Sequence, residues 1–97
     1  MRPWTQRKPD KTEAMIKHAL RAAGATVYSV NAIGRAGFPD LVVGFMGITA
    51  LAECKTKTGK LRDTQKEFMA AWRGGPVFII RDVADVENAL LSMSKWR

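Results

Sequence analysis

An α/β fold, with a mixed four-stranded sheet flanked by helices, follows from three observations on this 97-residue chain. Apolar periodicity changes along it in the order helix, three strands, helix, strand, helix. Two of the strands, Asp40 to Phe45 and Ile48 to Lys55, are apolar on both faces. Leu41, Val43, Phe45, Ile48, Ala50 and Ala52 lie on one face, Val42 and Leu51 on the other, which places these strands centrally in a sheet covered on both sides. Between them Met46-Gly47 reads as a two-residue hairpin turn.

The elements follow in order. Residues 1 to 9 carry Arg2, Arg7, Lys8 and two prolines, with little apolar content besides Trp4, and read as a loose basic arm. Asp10 opens a helix to about Ala23, with Glu13 three residues on as in a capping box and Gly24 as the stop. Ile16, Ala19, Leu20 and Ala23 form its buried stripe. Thr26 to Asn31 is β-branched and aromatic enough for a strand, and Gly34-Arg35-Ala36-Gly37 is a flexible turn leading to Pro39. After the hairpin, Thr56 to Lys60 is a basic, glycine-containing loop. A second helix runs from about Arg62 to Trp72, with Gln65, Phe68, Met69 and Trp72 on a common face, and Gly74-Gly75-Pro76 ends it. Phe68 and Trp72 are expected in the core. Val77 to Arg81 is a short strand, and Val83 to Met93 a third helix with Val86, Leu90 and Met93 inward. With no internal repeat or low-complexity tract, residues 1–97 form one domain.

Composition narrows the chemistry. A chain this short buries only about 60–65% of the surface it exposes unfolded, so its core is modest. Apolar residues are 46% and charged residues 26%, ordinary for a soluble globular protein. Sixteen Lys and Arg against nine Asp and Glu leave +7, which favours a polyanionic partner such as nucleic acid. No apolar run approaches the ~20 residues of a membrane span, and the basic start lacks the hydrophobic segment of a signal peptide, so a cytoplasmic location is expected. One Cys excludes an intramolecular disulfide, and one His excludes zinc sites that need several imidazoles. Catalysis would rest on carboxylates, Lys or hydroxyls.

The hairpin singles out three of these. In a two-residue hairpin turning at 46 and 47, opposed residues have numbers summing to 93, and 40 and 53 do so. Asp40 therefore faces Glu53, two like charges with Cβ atoms roughly 5 Å apart, where a divalent cation would compensate. Lys55 points to the same face as Glu53, beside the carboxylates. Glu13 and Gln65 each fall three residues before a buried position, Ile16 and Phe68, at the N-terminal end of a buried stripe. Both are site candidates. The plainer roles, a cap partner for Glu13 and a solvated first-turn amide for Gln65, stay open on sequence physics alone. Cys54 points to the opposite face as core filler, and His18 lies off the buried stripe.

The run Gly37-Phe38-Pro39-Asp40-Leu41, then Glu53-Cys54-Lys55, then Gly59-Lys60-Leu61 and Gln65, resembles the virus-type replication-repair nuclease (VRR-Nuc) domain of the PD-(D/E)XK nuclease superfamily. The resemblance extends from Glu13 to Gln65. It implies a restriction-endonuclease-like αβββαβ core and a Mg²⁺- or Mn²⁺-dependent DNA endonuclease of the stand-alone bacteriophage type, acting as a homodimer on four-way (Holliday) junctions. It also implies Asp40, Glu53 and the Cys54 backbone carbonyl as metal ligands. Lys55 would orient or activate the attacking water. Glu13 would complete the acidic cluster, directly or through metal-bound water, and Gln65 would hold Lys55 or the water. One departure is Arg62, where a Ser or Thr helix cap is expected, so Asp63 or Thr64 would have to substitute. Lys57, Lys60, Arg62 and Lys66 are the leading phosphate contacts, with Arg35 and the arm second. The alternatives are a flap, nicking or non-specific nuclease, and a catalytically silent basic DNA-binding protein.

Overall fold

A computed structural model of the chain describes residues 11–30 and 34–96. The elements are α1 (Lys11–Ala22), β1 (Thr26–Ser29), β2 (Leu41–Phe45), β3 (Ile48–Cys54), α2 (Asp63–Ala71), β4 (Val77–Ile80) and α3 (Val83–Ser94). The expected order is thus observed. The strands form one mixed sheet in the order β1-β2-β3-β4, with the first three antiparallel and β4 parallel to β3. As the two-sided apolar pattern requires, β2 and β3 are the inner pair. The hairpin turns where Met46 and Gly47 both take positive φ, 51° and 79°, the twist-matched geometry of a two-residue turn. Its pairs run from Phe45 with Ile48 to Leu41 with Ala52, so Asp40 and Glu53 are next in line.

One face of the sheet carries the core. Val27, Leu41, Val43, Ala50, Ala52, Cys54 and Ile80 pack there against Ile16 and Leu20 of α1 and Val86, Ala89, Leu90 and Met93 of α3. Each fully buried aliphatic side chain stabilises the fold by roughly 1.5–3 kcal/mol. Helix α1 stops at Gly24, whose N–H bonds the Arg21 carbonyl while Ala25 N–H bonds that of Leu20, closing its last turn. Ala23, expected in the stripe, is exposed because it follows the last helical turn. Asp82 caps α3 by accepting the Asp85 N–H at 2.9 Å.

The opposite face is only partly covered. Helix α2 lies over it, and the residue α2 buries is Gln65. Phe68 is half-buried, and Trp72 is 37% exposed, which corrects the expectation that both are core. The two rings stack on each other at 5.3 Å, Phe68 also meets Phe38 edge-on at 5.1 Å, and the Trp72 indole N–H donates to the Gly75 carbonyl. These aromatics fasten α2 to its flanking loops instead of filling an interior. Among the described residues no helix is long and apolar enough to cross a membrane. Asp10, Asn31 and the basic arm with Trp4, Arg2, Arg7 and Lys8 lie outside the described residues.

Candidate active site

The acids meet at one end of the sheet, where β1 and β3 finish, β2 begins and α1 starts. Asp40 lies one residue before β2, its carbonyl accepting the Val30 N–H and its side-chain Oδ2 accepting the Cys54 N–H, both at 2.9 Å. The side chain thus bridges to the strand that carries Glu53. Glu53 is 5% exposed, one of two buried polar residues among those described, the other being Gln65 at 4%. Gln65 Nε2 donates to Glu53 Oε2 at 2.7 Å, and Lys55 Nζ stands 3.6 Å from the same oxygen. Glu13, Asp40, Glu53, Lys55 and Arg62 line one groove of about 290 Å³.

Gln65 therefore fixes Glu53, the residue that also faces Lys55. Its other end resolves the missing helix cap: Oε1 accepts the Arg62 N–H at 2.8 Å. A guanidinium has no acceptor with which to cap the helix in return, so the side chain of residue 65 supplies this half of a capping box. Neither Asp63 nor Thr64 takes the role. One amide thereby ties the start of α2 to the acidic strand. Its burial rules out a solvated first-turn amide.

Gly37 sets the distance between these parts. It is buried at φ 86°, and a Cβ there would run into the Thr64 carbonyl in the first turn of α2. Only glycine lets the turn before Asp40 abut the helix that carries Gln65.

Glu13 comes to the groove from the other side. Its Oε2 accepts the Ser29 hydroxyl at 3.1 Å and stands 3.6 Å from Lys17 Nζ, which itself donates to Ser29 Oγ at 3.0 Å. These partners link α1 to the end of β1; the expected capping role toward Asp10 falls outside the described residues.

Burial, reinforced by the charge of Asp40, pushes the Glu53 carboxyl from 4.5 up to about 7, against the opposing pull of Lys55 and Arg62. A cation beside Asp40 and Glu53 would relieve that repulsion. The hydrogen bonds occupy Oδ2 of Asp40 and Oε2 of Glu53, leaving the other oxygen of each carboxylate for such an ion. Hard oxygen donors in this number suit Mg²⁺ or Mn²⁺, which retain several waters. Among the described residues no group of three or more His, Cys, Asp or Glu side chains is arranged to hold a metal. Asp40 and Glu53 are the carboxylates that fit such an ion, and Glu13 lines the same groove. Cys54 is buried in the core, so only its backbone faces this chemistry.

The basic candidates Arg35, Lys57, Lys60, Arg62 and Lys66 are all exposed. Arg62 lines the acidic groove and also an adjoining one of about 260 Å³ that Arg35 lines. Lys57 and Lys60 sit on the loop whose Thr56 and Gly59 form the groove wall, and Lys66 lies a turn along α2. His18 is exposed, as expected, and Trp96 is 41% exposed.

Two residues escaped sequence reasoning. Ser29 was legible only as a strand residue. Arg81 donates to carbonyls of the 56–59 loop, a contact that depends on β4 lying beside β3, and no short turn fixes the register of that parallel pair.

Compared with protein-family models, with curated proteins and with solved structures, the chain gives no match.

Proposed function

We propose that this chain is a Mg²⁺- or Mn²⁺-dependent DNA endonuclease of the VRR-Nuc type, with a restriction-endonuclease-like core, resolving four-way junctions as a homodimer. The observation that carries the proposal is the convergence of Asp40, Glu53 and Lys55 in one groove with Glu13, with Glu53 held by a buried amide. A hydrophobic strand pair has no structural need for two opposed acids at its end, and burying Glu53 beside Asp40 is costly unless a ligand compensates it.

In this mechanism Asp40 and Glu53 would hold the cation, and the resemblance adds the Cys54 carbonyl as a third oxygen. When bound, the ion supplies Lewis-acid stabilisation of the phosphate and lowers the pKa of its water. Lys55, held beside Glu53, presents positive charge to the pentacoordinate transition state and orients the attacking water. Gln65 keeps Glu53 from turning away. Glu13 would complete the acidic cluster, directly or through water. Arg62, Lys57, Lys60, Lys66 and Arg35 bind flanking phosphates, and Arg2, Arg7 and Lys8 of the basic arm are the further candidates for such contacts. Two-fold symmetry would set two such grooves on two strands of a junction.

The test is cleavage of labelled four-way junction, flap and duplex DNA with Mg²⁺, Mn²⁺ or chelator. Asp40→Ala, Glu53→Ala and Lys55→Ala should each lower cleavage by about a thousandfold while retaining binding. Normal turnover by any of these variants, purified free of contaminating nuclease, would remove the assignment. Binding without cutting by the wild type would make the chain a silent DNA-binding protein.

A further inference from the structure

The loop between β3 and α2 forms a wall of the acidic groove through Thr56 and Gly59, and presents Lys57 and Lys60 at its rim. This short loop holds its shape only in part by itself, through a turn in which the Gly59 N–H bonds the Thr56 carbonyl at 3.2 Å. It is also held from the end of β4. Arg81 Nη1 donates to the Thr56 carbonyl at 2.7 Å and to the Gly59 carbonyl at 2.7 Å, with a longer 3.4 Å contact to that of Lys57. Lys55 N–H bonds the Ile80 carbonyl at 3.1 Å, so the loop leaves β3 already paired to the strand that carries Arg81. Within the loop, Gly59 N–H donates to Thr56 Oγ1 at 3.1 Å. Arg81 is itself braced, its N–H donating to Asp85 Oδ2 at 2.8 Å. Among the described residues it enters no ion pair, so its charge is directed to backbone carbonyls.

We infer that Arg81 is a positioning residue of the groove: by gathering the 56–59 carbonyls onto one guanidinium, it presets the loop that meets the phosphate backbone. The physical logic has two parts. Carbonyl oxygens aimed at Arg81 cannot aim at an incoming phosphate, so the clamp removes acceptor dipoles from a wall that must attract an anion. A loop ordered before binding also spares the entropy of ordering Lys57 and Lys60 on the ligand. The inference rests on the proposed nucleic-acid role for what the loop meets, and on the hydrogen bonds alone for what Arg81 does to the loop.

The experiment compares wild type, Arg81→Gln and Arg81→Lys in chelator, after checking each for native circular dichroism. One readout is the rate of trypsin cleavage after Lys57 and Lys60, mapped by mass. The other is affinity for four-way junction DNA, with and without the Lys57→Ala/Lys60→Ala pair. Arg81→Gln should be cut about tenfold faster and bind about tenfold more weakly. The lysine pair should then weaken the wild type but add little in the Arg81→Gln background, and Arg81→Lys should lie between. Unchanged protection, unchanged affinity, or equal cost of the lysine pair in both backgrounds would overturn the inference. If Arg81→Gln does not fold, Arg81→Lys against wild type decides by the same three comparisons. Neither readout needs turnover, so a protein that never cuts DNA yet shows these differences removes the nuclease and keeps the clamp.

Discussion

The inner strands β2 and β3 show one face to α1 and α3 and the other to α2, and the two faces are built differently. On the first, Leu41, Val43, Ala50, Ala52 and Cys54 are all at most 6% exposed, and each covering helix contributes apolar side chains. On the second, Glu53 and Leu51 are buried, Val42 is half-buried, Thr49 is exposed, and α2 buries a single residue, Gln65. Helix α2 is thus not a second core helix. Its first turn holds an amide over a carboxylate at one end of the face, and the other end is left open. One set of strands carries stability on one side and chemistry on the other, and substitutions should separate the two.

The largest stability loss belongs to the closed face. Leu41→Ala, at a fully buried position beside the acids, should cost about 2–5 kcal/mol, read as a lower urea midpoint. A cost under about 1 kcal/mol would mean that this face relaxes as easily as the open one, and the comparison would fail.

Much of this division was legible in advance. The hairpin register followed from turn length, because a two-residue loop leaves no freedom in which residues oppose, and it placed Asp40, Glu53 and Lys55 without reference to packing. The inner position of β2 and β3 followed from apolar residues on both faces. Trp72 was misjudged because large rings at helical spacing look the same whether they enter a core or lie over a loop, and its bond to Gly75, only three residues on, depends on how the chain turns back after the helix. The roles of Ser29 and Arg81 depend on pairing between elements distant in sequence, which composition and period do not encode. Gln65 meets Glu53, a pairing the sequence does not specify, since a helix position fixes which way a side chain leaves the backbone and not which of two neighbouring polar groups it meets.

The second effect has the opposite sign. Well below pH 4.5 Glu53 is neutral in the folded and unfolded chain alike. Between 4.5 and about 7 the unfolded chain releases the proton while the folded one keeps it, so stability is lost as pH rises through about 7. At about 1.4 kcal/mol per pH unit, the metal-free protein forfeits roughly 3 kcal/mol by pH 8. Glu53→Gln keeps an acceptor for Gln65 and never ionises. In chelator it should therefore be more stable than wild type by up to that amount at pH 8 and equal to it at pH 4. Divalent metal should stabilise only the wild type at pH 8. Equal stability of the two proteins across the range would show that Glu53 ionises as freely as a surface acid, and the end of the face near α2 would then be no more buried than the rest.

The smallest effect belongs to the open part of that face. Tyr28 faces Val42 across the β1–β2 ladder but is 66% exposed, since α2 does not extend over it. A side chain in water gains little by folding, so Tyr28→Ser should change the unfolding free energy of dilute protein by at most about 0.5 kcal/mol. The same strand pair buries Val27 against Val43 on its other side, where Val27→Ala should cost about 1–2 kcal/mol or more. Because the two residues are neighbours in one short strand, backbone propensity and strand position nearly cancel between them. The difference isolates what covers each face. If Tyr28→Ser proved as costly as Val27→Ala, and more so as protein concentration rose, the open face would be covered in solution by a second copy of the chain. The contrast between the two faces would then hold for the isolated chain and not for the assembly.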